Sequence, residues 1–481
     1  MAEIVLDLRN FIQRCEEIGE LKVINGAHWD LEIGTLTFEV GASTANPPAL
    51  LFDRIEGYPA GFRVLTMPAS TDRRVALALG LSDDASRLEI VQELKQKFKE
   101  PMDLIPPVEV KDGPIFENED RGDDIDLLKF PVPRWTARDG GRYIGSGDTV
   151  IAKDPDEGWV NVSTHRIQVL DKSRCVMFIE SGQQLNIIRE KYWKKGQNCP
   201  MAVTIGTHPL IVSVGGTKLP WGMCEYDYAG WWMKAPVEVV KGPTTGLPIP
   251  AHSEIVLEGE MTPRDVESVK EGPFAEFTGH YSPGGNEAVF QVQRVLYRND
   301  PIILGLMPYL GPGVPTWTRS QTMSAEIWNK LDEIVPGVTG VWLYEDFGKE
   351  RCLAISLKQQ FPGHAKQAAL AALGHYTINR KYIVVVDDDV DPSNLREVLF
   401  AMGNRADPET FDLIRGNRAS KLDPLSANPE RQRTGNFTLS TLIILACKPF
   451  EWIDKFPPAI TFDKDLRGKV REKWKGFMES L

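Results

Sequence analysis

The chain has 481 residues, enough for about three domains at roughly 150 residues each, and its apolar (42%) and charged (25%) fractions are those of an ordinary globular protein. A net charge of −12 argues against non-specific nucleic-acid or anionic-membrane binding, because phosphates attract basic surfaces. Six cysteines without a Cys-x-x-Cys pair exclude a disulfide framework and a thiolate zinc site.

Residues 1–7 lack a basic segment followed by an apolar core, and the longest apolar runs, such as 442–447, fall far short of the roughly 20 residues of a membrane span. A soluble, cytoplasmic protein is expected. Residues 1–100 alternate helix and strand signals. Leu8, Phe11, Ile12, Cys15 and Ile18 recur at helical spacing until Gly19, and short strands follow at 21–24, 49–52 and 62–66. A helix over 70–79 stops at Gly80, and Ser86 caps another with Leu88, Val91, Leu94 and Phe98 on one face. Four prolines between 101 and 114 and an acidic run at 117–124 read as a linker.

Residues 127–300 are β-rich, with strands expected at 149–152, 160–170, 176–179, 201–205, 210–214, 237–240, 255–258 and 289–296, the spacing of an antiparallel barrel or sandwich. Helices are expected at about 184–193 and around 226–234 and 263–270. From 310 to 450 the pattern returns to α/β. Helices are expected at 322–334 and 364–373, strands at 341–344, 352–357 and 382–386, and then a helix capped by Ser393. A charged terminal helix over 463–481 reads as an arm that docks on another subunit. The resulting division is 1–118, 119–310, 311–455 and 456–481. Neither a Walker loop nor a Gly-x-Gly-x-x-Gly turn is present.

Two stretches carry candidate chemistry. In Glu271-Gly-Pro-Phe-Ala-Glu276 two carboxylates stand five apart, and Gly272-Pro273 breaks strand parity, so both can turn toward one cavity. Phe274 and Phe277 beside them would raise a carboxyl pKa by desolvation, as general acid catalysis needs; a solvated turn is the alternative. In Trp159-Val-Asn161-Val-Ser163-Thr164-His165-Arg166, strand parity sets Asn161, Ser163 and His165 on one face and Arg166 on the other. An arginine among valines and isoleucines needs a carboxylate, from Glu271, Glu276 or an acid substrate, unless the strand is a surface edge.

Other features are less directed. Asn161, Gln184 and Glu225 are oxygen donors that together could hold Mg²⁺ or Mn²⁺, or be ordinary polar residues. Residues 387–391 lack calcium-loop order, and Lys381 before them could meet a phosphate. His364, at a helix start, reads as structural. Tyr226, Tyr228, Trp231 and Trp232 could wall a flat ligand or belong to the core. The Gly/Pro-rich stretch 307–319 is a candidate pocket wall or a hinge.

Together, Trp159-Val-Asn161 through Arg166, Glu225-Tyr-Asp-Tyr-Ala-Gly230, residues 237–242 and 253–259, Glu271 through Glu276, residues 363–366 and Lys381 through Asp391 resemble the UbiD-like decarboxylases that use prenylated FMN. The resemblance runs nearly the whole chain in the family's order. It implies a small N-terminal α/β domain, a central split β-barrel cofactor domain and a C-terminal α/β oligomerisation domain with a terminal helix. It places the family's Glu-Arg-Glu network on Arg166, Glu271 and Glu276, and its divalent-metal ligands on Asn161, Gln184 and Glu225, with K⁺ held partly by backbone near Trp159. Cofactor contacts fall on Asn161, Ser163, Thr164, His165, Arg166, Gln183, Gln184, Glu225 and the phosphate lysine Lys381. Gln184 stands where many members carry histidine.

The implied activity is reversible decarboxylation of an aromatic or α,β-unsaturated acid, in a homodimer or homohexamer, with a flavin prenyltransferase as cofactor supplier. A carboxylase of phenolic or aromatic substrates within a complex, and a non-catalytic supporting paralogue, are the alternatives. Without the resemblance, the carboxylate pair would suggest a glycosidase.

Overall fold

The structure, a computed structural model, describes residues 7–311, 314–315, 317–375, 378–458, 460 and 463–478. Its first helix, Leu8–Glu17, is capped by Asp7, whose side chain accepts from the Asn10 amide at 2.8 Å, and it buries Leu8, Phe11, Ile12 and Cys15. Helix Asp72–Leu79 begins later than its hydrophobic pattern suggests because Thr71 caps it; Gly80, at φ +70°, ends it. The Ser86–Glu89 capping box opens Arg87–Lys97 as expected. Strands Leu21–Asn25, Ala49–Asp53 and Arg63–Thr66 form a sheet whose fourth member, Ile302–Gly305, comes from the far end of the central domain. The two domains are therefore stitched together by backbone hydrogen bonds.

In the central domain, eight strands follow the path Arg142–Gly145, Arg166–Val169, Arg174–Phe178, Gly285–Tyr297, Ile255–Met261, Cys199–Ile205, Asp148–Lys153 and Val160–Ser163. The expected single strand over 160–170 is thus two strands at opposite ends of one sheet: Val160–Ser163 is an edge strand, and Arg166–Val169 lies one strand in from the other edge. Only Thr164 and His165 join them, a link that spans at most about 10 Å. Ends so close in space require the sheet to curl into a half-barrel. This curl brings Asn161, on the edge strand, near Arg166, on the strand next to the opposite edge.

Three other expectations change. Residues 210–214 lie in a buried helix, Pro209–Gly215, opened by Pro209 and by His208, whose Nδ1 accepts from the Leu210 amide at 3.1 Å; a short apolar run does not by itself separate strand from helix. No helix forms over 263–270: the Pro263 carbonyl closes one turn with Val266 and Glu267, and then Ser268–Glu271 pairs with the long strand Gly285–Tyr297. The acidic stretch read as linker contributes the strand Asn118–Arg121 to that same long strand.

The C-terminal domain is a five-stranded sheet in the order Val338–Leu343, Cys352–Leu357, Tyr382–Asp387, Thr438–Ala446, Asp412–Arg418. Its helix Arg319–Asp332 packs on Arg87–Lys97, with Lys95 4.1 Å over the Trp328 ring. Asn394, not Ser393, caps helix Leu395–Arg405, because Ser393 is held by the Asp391 carboxylate. Tyr226, Tyr228, Trp231 and Trp232 are core: the two indoles donate to the carbonyls of Pro101 and Leu79. His364 is buried and accepts from the Gln360 amide, a structural role. The tail forms helices Lys464–Lys473 and Lys475–Met478, with Leu466, Val470, Trp474 and Phe477 exposed; residues 479–481 lie outside the described chain. Among the described residues no helix is long and apolar enough to cross a membrane.

Candidate active site

Arg166 is buried at the start of its strand, directly across from Phe178 in the neighbouring one. Its fork is divided between two carboxyls. Nε and Nη2 donate to Glu271 Oε1 and Oε2 at 2.8 and 2.7 Å, a bidentate pair. Nη1 donates to Glu276 and, at 2.7 Å, to Ser282 Oγ. The guanidinium lies 4.3 Å over the Phe178 ring and 5.4 Å from that of Phe274.

The parity break does what the spacing suggests. Glu271 ends one strand, Gly272 turns at φ +81°, and Phe274–Ala275 begins the next, so both carboxyls reach one guanidinium. An added Cβ at Gly284 would lie 2.0 Å from the Glu271 carbonyl, so this turn closes only around glycine. Two carboxyls on a single arginine are not arranged to flank a sugar, which removes the glycosidase alternative.

The environments of the two carboxyls differ. Glu271 is fully buried and takes a third hydrogen bond from Tyr143 OH at 2.9 Å, so its oxygens are committed to holding Arg166. Among the described residues the Glu276 carboxyl has Arg166 as its one hydrogen-bond partner, and burial pushes its pKa up against the opposing charges of Arg166 and Lys349. Burial works against the Arg166 charge, yet the hydrogen bonds and charge of Glu271 raise its pKa overall. The site therefore holds a fixed cation and a carboxyl biased toward its protonated form. The apolar rings beside this pair are Phe274, as expected, and Phe178, while Phe277 faces Lys349 and Arg351 at 5.5 Å each. Tyr143, Ser282 and Phe178 carry no distinguishing sequence pattern; only the rule that a buried tyrosine hydroxyl needs a partner could have flagged Tyr143.

The second cluster forms as the residue types suggest. Asn161 Nδ2 lies 3.1 Å from Gln184 Oε1 and 3.2 Å from Glu225 Oε1. Glu225 Oε2 accepts from the Val162 amide at 2.7 Å, and Gln184 Nε2 donates to the Leu219 carbonyl at 3.0 Å. Burial pushes the Glu225 pKa up to about 8. Ser163 Oγ stands 3.3 Å from Asn161 Oδ1 and 2.9 Å from His165 Nε2; burial holds His165 down at about 4, so its ring is neutral at pH 7. Among the described residues no three His, Cys, Asp or Glu side chains gather as metal ligands; the oxygens of this cluster come from two amides and one carboxyl.

The other candidates lie close by. The Thr164 amide donates to the Gly215 carbonyl at 3.3 Å, in the crossing between the two strands. Gln183 is exposed at the cap of helix Gln184–Lys194, and its Oε1 accepts from the Glu180 amide. Lys381 pairs with Asp423 at 3.0 Å, beside Arg351 on the same carboxylate.

Two cavities meet at residues 274–281. One, of about 610 Å³, lies between the central and C-terminal domains; Glu180, Ser181, Lys218 and Phe277 line one wall and Arg418 and Lys421 the other. The loops forming its first wall lead directly into Gln184 and Leu219. A smaller cavity, of about 290 Å³, is lined by Phe38, Trp135, Phe274, Glu276, Met307 and Tyr309. Met307 and Tyr309 confirm part of the 307–319 stretch as pocket wall; residues 312, 313 and 316 lie outside the described chain.

Models of the 3-octaprenyl-4-hydroxybenzoate carboxy-lyase match the chain in three consecutive parts: the N-terminal domain at residues 12–94, the Rift-related domain at 107–310 and the C-terminal domain at 316–446. The chain belongs to the UbiD family. Its relatives include the pyrrole-2-carboxylic acid decarboxylase of Pseudomonas aeruginosa, 31% identical over 98% of each chain. Among solved structures of the UbiD class, the open form of vanillic acid decarboxylase from Sedimentibacter hydroxybenzoicus superposes with a TM-score of 0.83 at 29% identity, covering both chains fully. An evolved dimeric form of HmfF from Pelotomaculum thermopropionicum, solved with prFMN, gives 0.80 at 25% identity, over 95% of this chain and 97% of that one. The three-part UbiD architecture and the mixed α/β fold with its curled central sheet are as the sequence suggests.

Proposed function

We propose that this protein is a prenylated-FMN-dependent decarboxylase of aromatic or α,β-unsaturated carboxylic acids, reversible in principle because both directions share one transition state. The observation that carries this assignment is Arg166 held between a fully committed Glu271 and a Glu276 whose pKa burial raises, with Glu276 at the wall of the smaller cavity. The pyrrole-2-carboxylate and vanillate relatives favour a flat aromatic acid, and the sparse charge of the smaller cavity agrees with one.

The residues suit the cofactor. The interdomain cavity supplies Lys218, Arg418 and Lys421 for an anionic flavin nucleotide, with Lys381 in the adjoining ion pair. Asn161, Gln184 and Glu225 would hold Mn²⁺ or Mg²⁺, which would supply positive charge for an anionic cofactor, with the amide at 184 favouring hard cations. K⁺ would sit near the Trp159 backbone. When bound, prenylated FMN supplies the electron sink for the carbon that loses CO₂.

The chain's own groups do the rest. Glu271 fixes Arg166 through Nε and Nη2, and the guanidinium so held, its Nη1 on Glu276 and Ser282, would orient the substrate carboxylate by its charge. Glu276 gives its proton to the carbon that CO₂ leaves, and burial, by raising its pKa, favours the protonated form that this requires. Phe178 and Phe274 exclude water around the guanidinium. We place the protein in the cytoplasm, supplied by a flavin prenyltransferase, with the exposed tail face docking on a second copy. The spectrum and mass of the small molecule released from protein co-produced with a flavin prenyltransferase test the assignment. Prenylated FMN at near one per chain supports it, and an empty protein refutes it.

A further inference from the structure

The hydrogen bonds around Asn161 run in one direction. His165 Nδ1 lies 3.3 Å from the Phe178 carbonyl, which can only accept, so Nδ1 carries the proton and Nε2 is the acceptor. Ser163 Oγ, 2.9 Å from Nε2, therefore gives its single proton to His165. Gln184 and Glu225 present oxygen to Asn161 regardless of how Asn161 is turned. The Gln184 NH₂ is committed to Leu219, and Glu225 is anchored on the Val162 amide.

A half-turn about the Cβ–Cγ bond exchanges the two ends of the Asn161 amide with almost no change in shape. With its NH₂ between Gln184 and Glu225, the carbonyl end faces Ser163 Oγ at 3.3 Å, and that oxygen has no proton left to give. Turned over, the NH₂ donates to Ser163 Oγ, so every hydrogen bond from that NH₂ through Ser163 and His165 to Phe178 is matched, and the Asn161 carbonyl, facing two oxygens, is left for a cation. Three oxygens then stand 3.1 and 3.2 Å apart. That spacing is close to the edge, about 3.0 Å, of an octahedron of oxygens bonded at roughly 2.1 Å to Mg²⁺.

We propose that His165 is a positioning residue that, through Ser163, turns the Asn161 carbonyl toward Gln184 and Glu225 and so readies the three for a hard divalent cation. The inference rests on the metal assignment made above. Removing His165 frees the Ser163 proton for the Asn161 carbonyl and favours the orientation that closes the site with NH₂.

The test is titration of Mn²⁺ into the full-length protein with FMN present, with free Mn²⁺ read by electron paramagnetic resonance. His165→Leu and Ser163→Ala should each weaken Mn²⁺ binding roughly tenfold, as outer-shell substitutions do. The double variant should lose no more than either single one, while Ser163→Thr, which keeps the hydroxyl, should retain binding. Thermal melting checks that each variant folds, and Ser163→Ala probes the same chain of bonds if His165→Leu does not. Wild-type affinity in both single variants, or losses that add, would overturn the inference. A wild-type protein that binds no Mn²⁺ would instead remove the metal assignment, and the role of His165 with it.

Discussion

Glu271→Gln and Glu276→Gln should separate stability from chemistry at the Arg166 site. Glu271 is wholly buried, takes both Nε and Nη2 of Arg166 and accepts a third bond from Tyr143. An amide at 271 keeps one acceptor and loses the charge, so at least one charge-assisted bond, worth about 1.5–3 kcal/mol, disappears. Breaking a buried pair outright costs about 3–5 kcal/mol; here Glu276 can ionise to replace the lost charge, which places the expected cost at about 2–3 kcal/mol. That rescue removes the proton that catalysis uses, so activity should be lost as well. Glu276→Gln leaves the Arg166–Glu271 fork intact and replaces a carboxyl already biased to its neutral form, so it should cost under about 1 kcal/mol while turnover is abolished and flavin remains bound. Melting of both variants beside wild type, with flavin content and CO₂ release measured on the same preparations, checks this. A larger stability loss at 276 than at 271, or normal turnover by either variant, would refute the division of roles.

The raised pKa of Glu276 gives the pH dependence a sign. A donor with an elevated pKa keeps its proton below the folded value and loses it as pH rises through it, so kcat should fall on the alkaline side, with its limb above the ordinary glutamate value of about 4.3; a rate that climbs steadily through neutral pH would contradict this. Gln184→His should shift the metal preference toward Zn²⁺ relative to Mg²⁺, measured by elemental analysis after exchange, because imidazole suits softer cations; an unchanged preference would argue that Gln184 is not a ligand. Trp474→Asp and Phe477→Asp, on the exposed face of the tail, should lower the oligomeric mass seen by light scattering without loss of fold, and an unchanged mass would place the subunit contact elsewhere.

Local chemistry makes much of the site legible in the sequence. Arg166 among apolar residues demands a carboxylate, Gly272-Pro273 signals the break in parity, and oxygen donors at 161, 184 and 225 share one preference for hard cations. Long-range geometry is not legible in the same way. The run from Val160 to Leu170 carries an unbroken strand signal, yet Thr164 and His165 pass from an edge strand to one near the opposite end of the sheet, because closure depends on strands more than a hundred residues away. Residues 209–215 and 263–270 are short segments in which cap chemistry and strand pairing outweigh periodicity. Tyr143 and Ser282 reach the site only through pairing that brings them there. Phe277 lies one residue past Glu276 but faces the interdomain cavity, so adjacency in sequence misassigns it.

The central claim, that this chain removes CO₂ from an aromatic acid and that Glu276 returns the proton, is tested most directly by CO₂ release from protein co-produced with a flavin prenyltransferase. The substrates would be a panel of phenolic and heteroaromatic acids, with wild type and Glu276→Gln assayed in parallel. We predict release by the wild type and none by Glu276→Gln at equal flavin content. Release at equal rates from both, or none from flavin-loaded wild type with any acid in the panel, would contradict it.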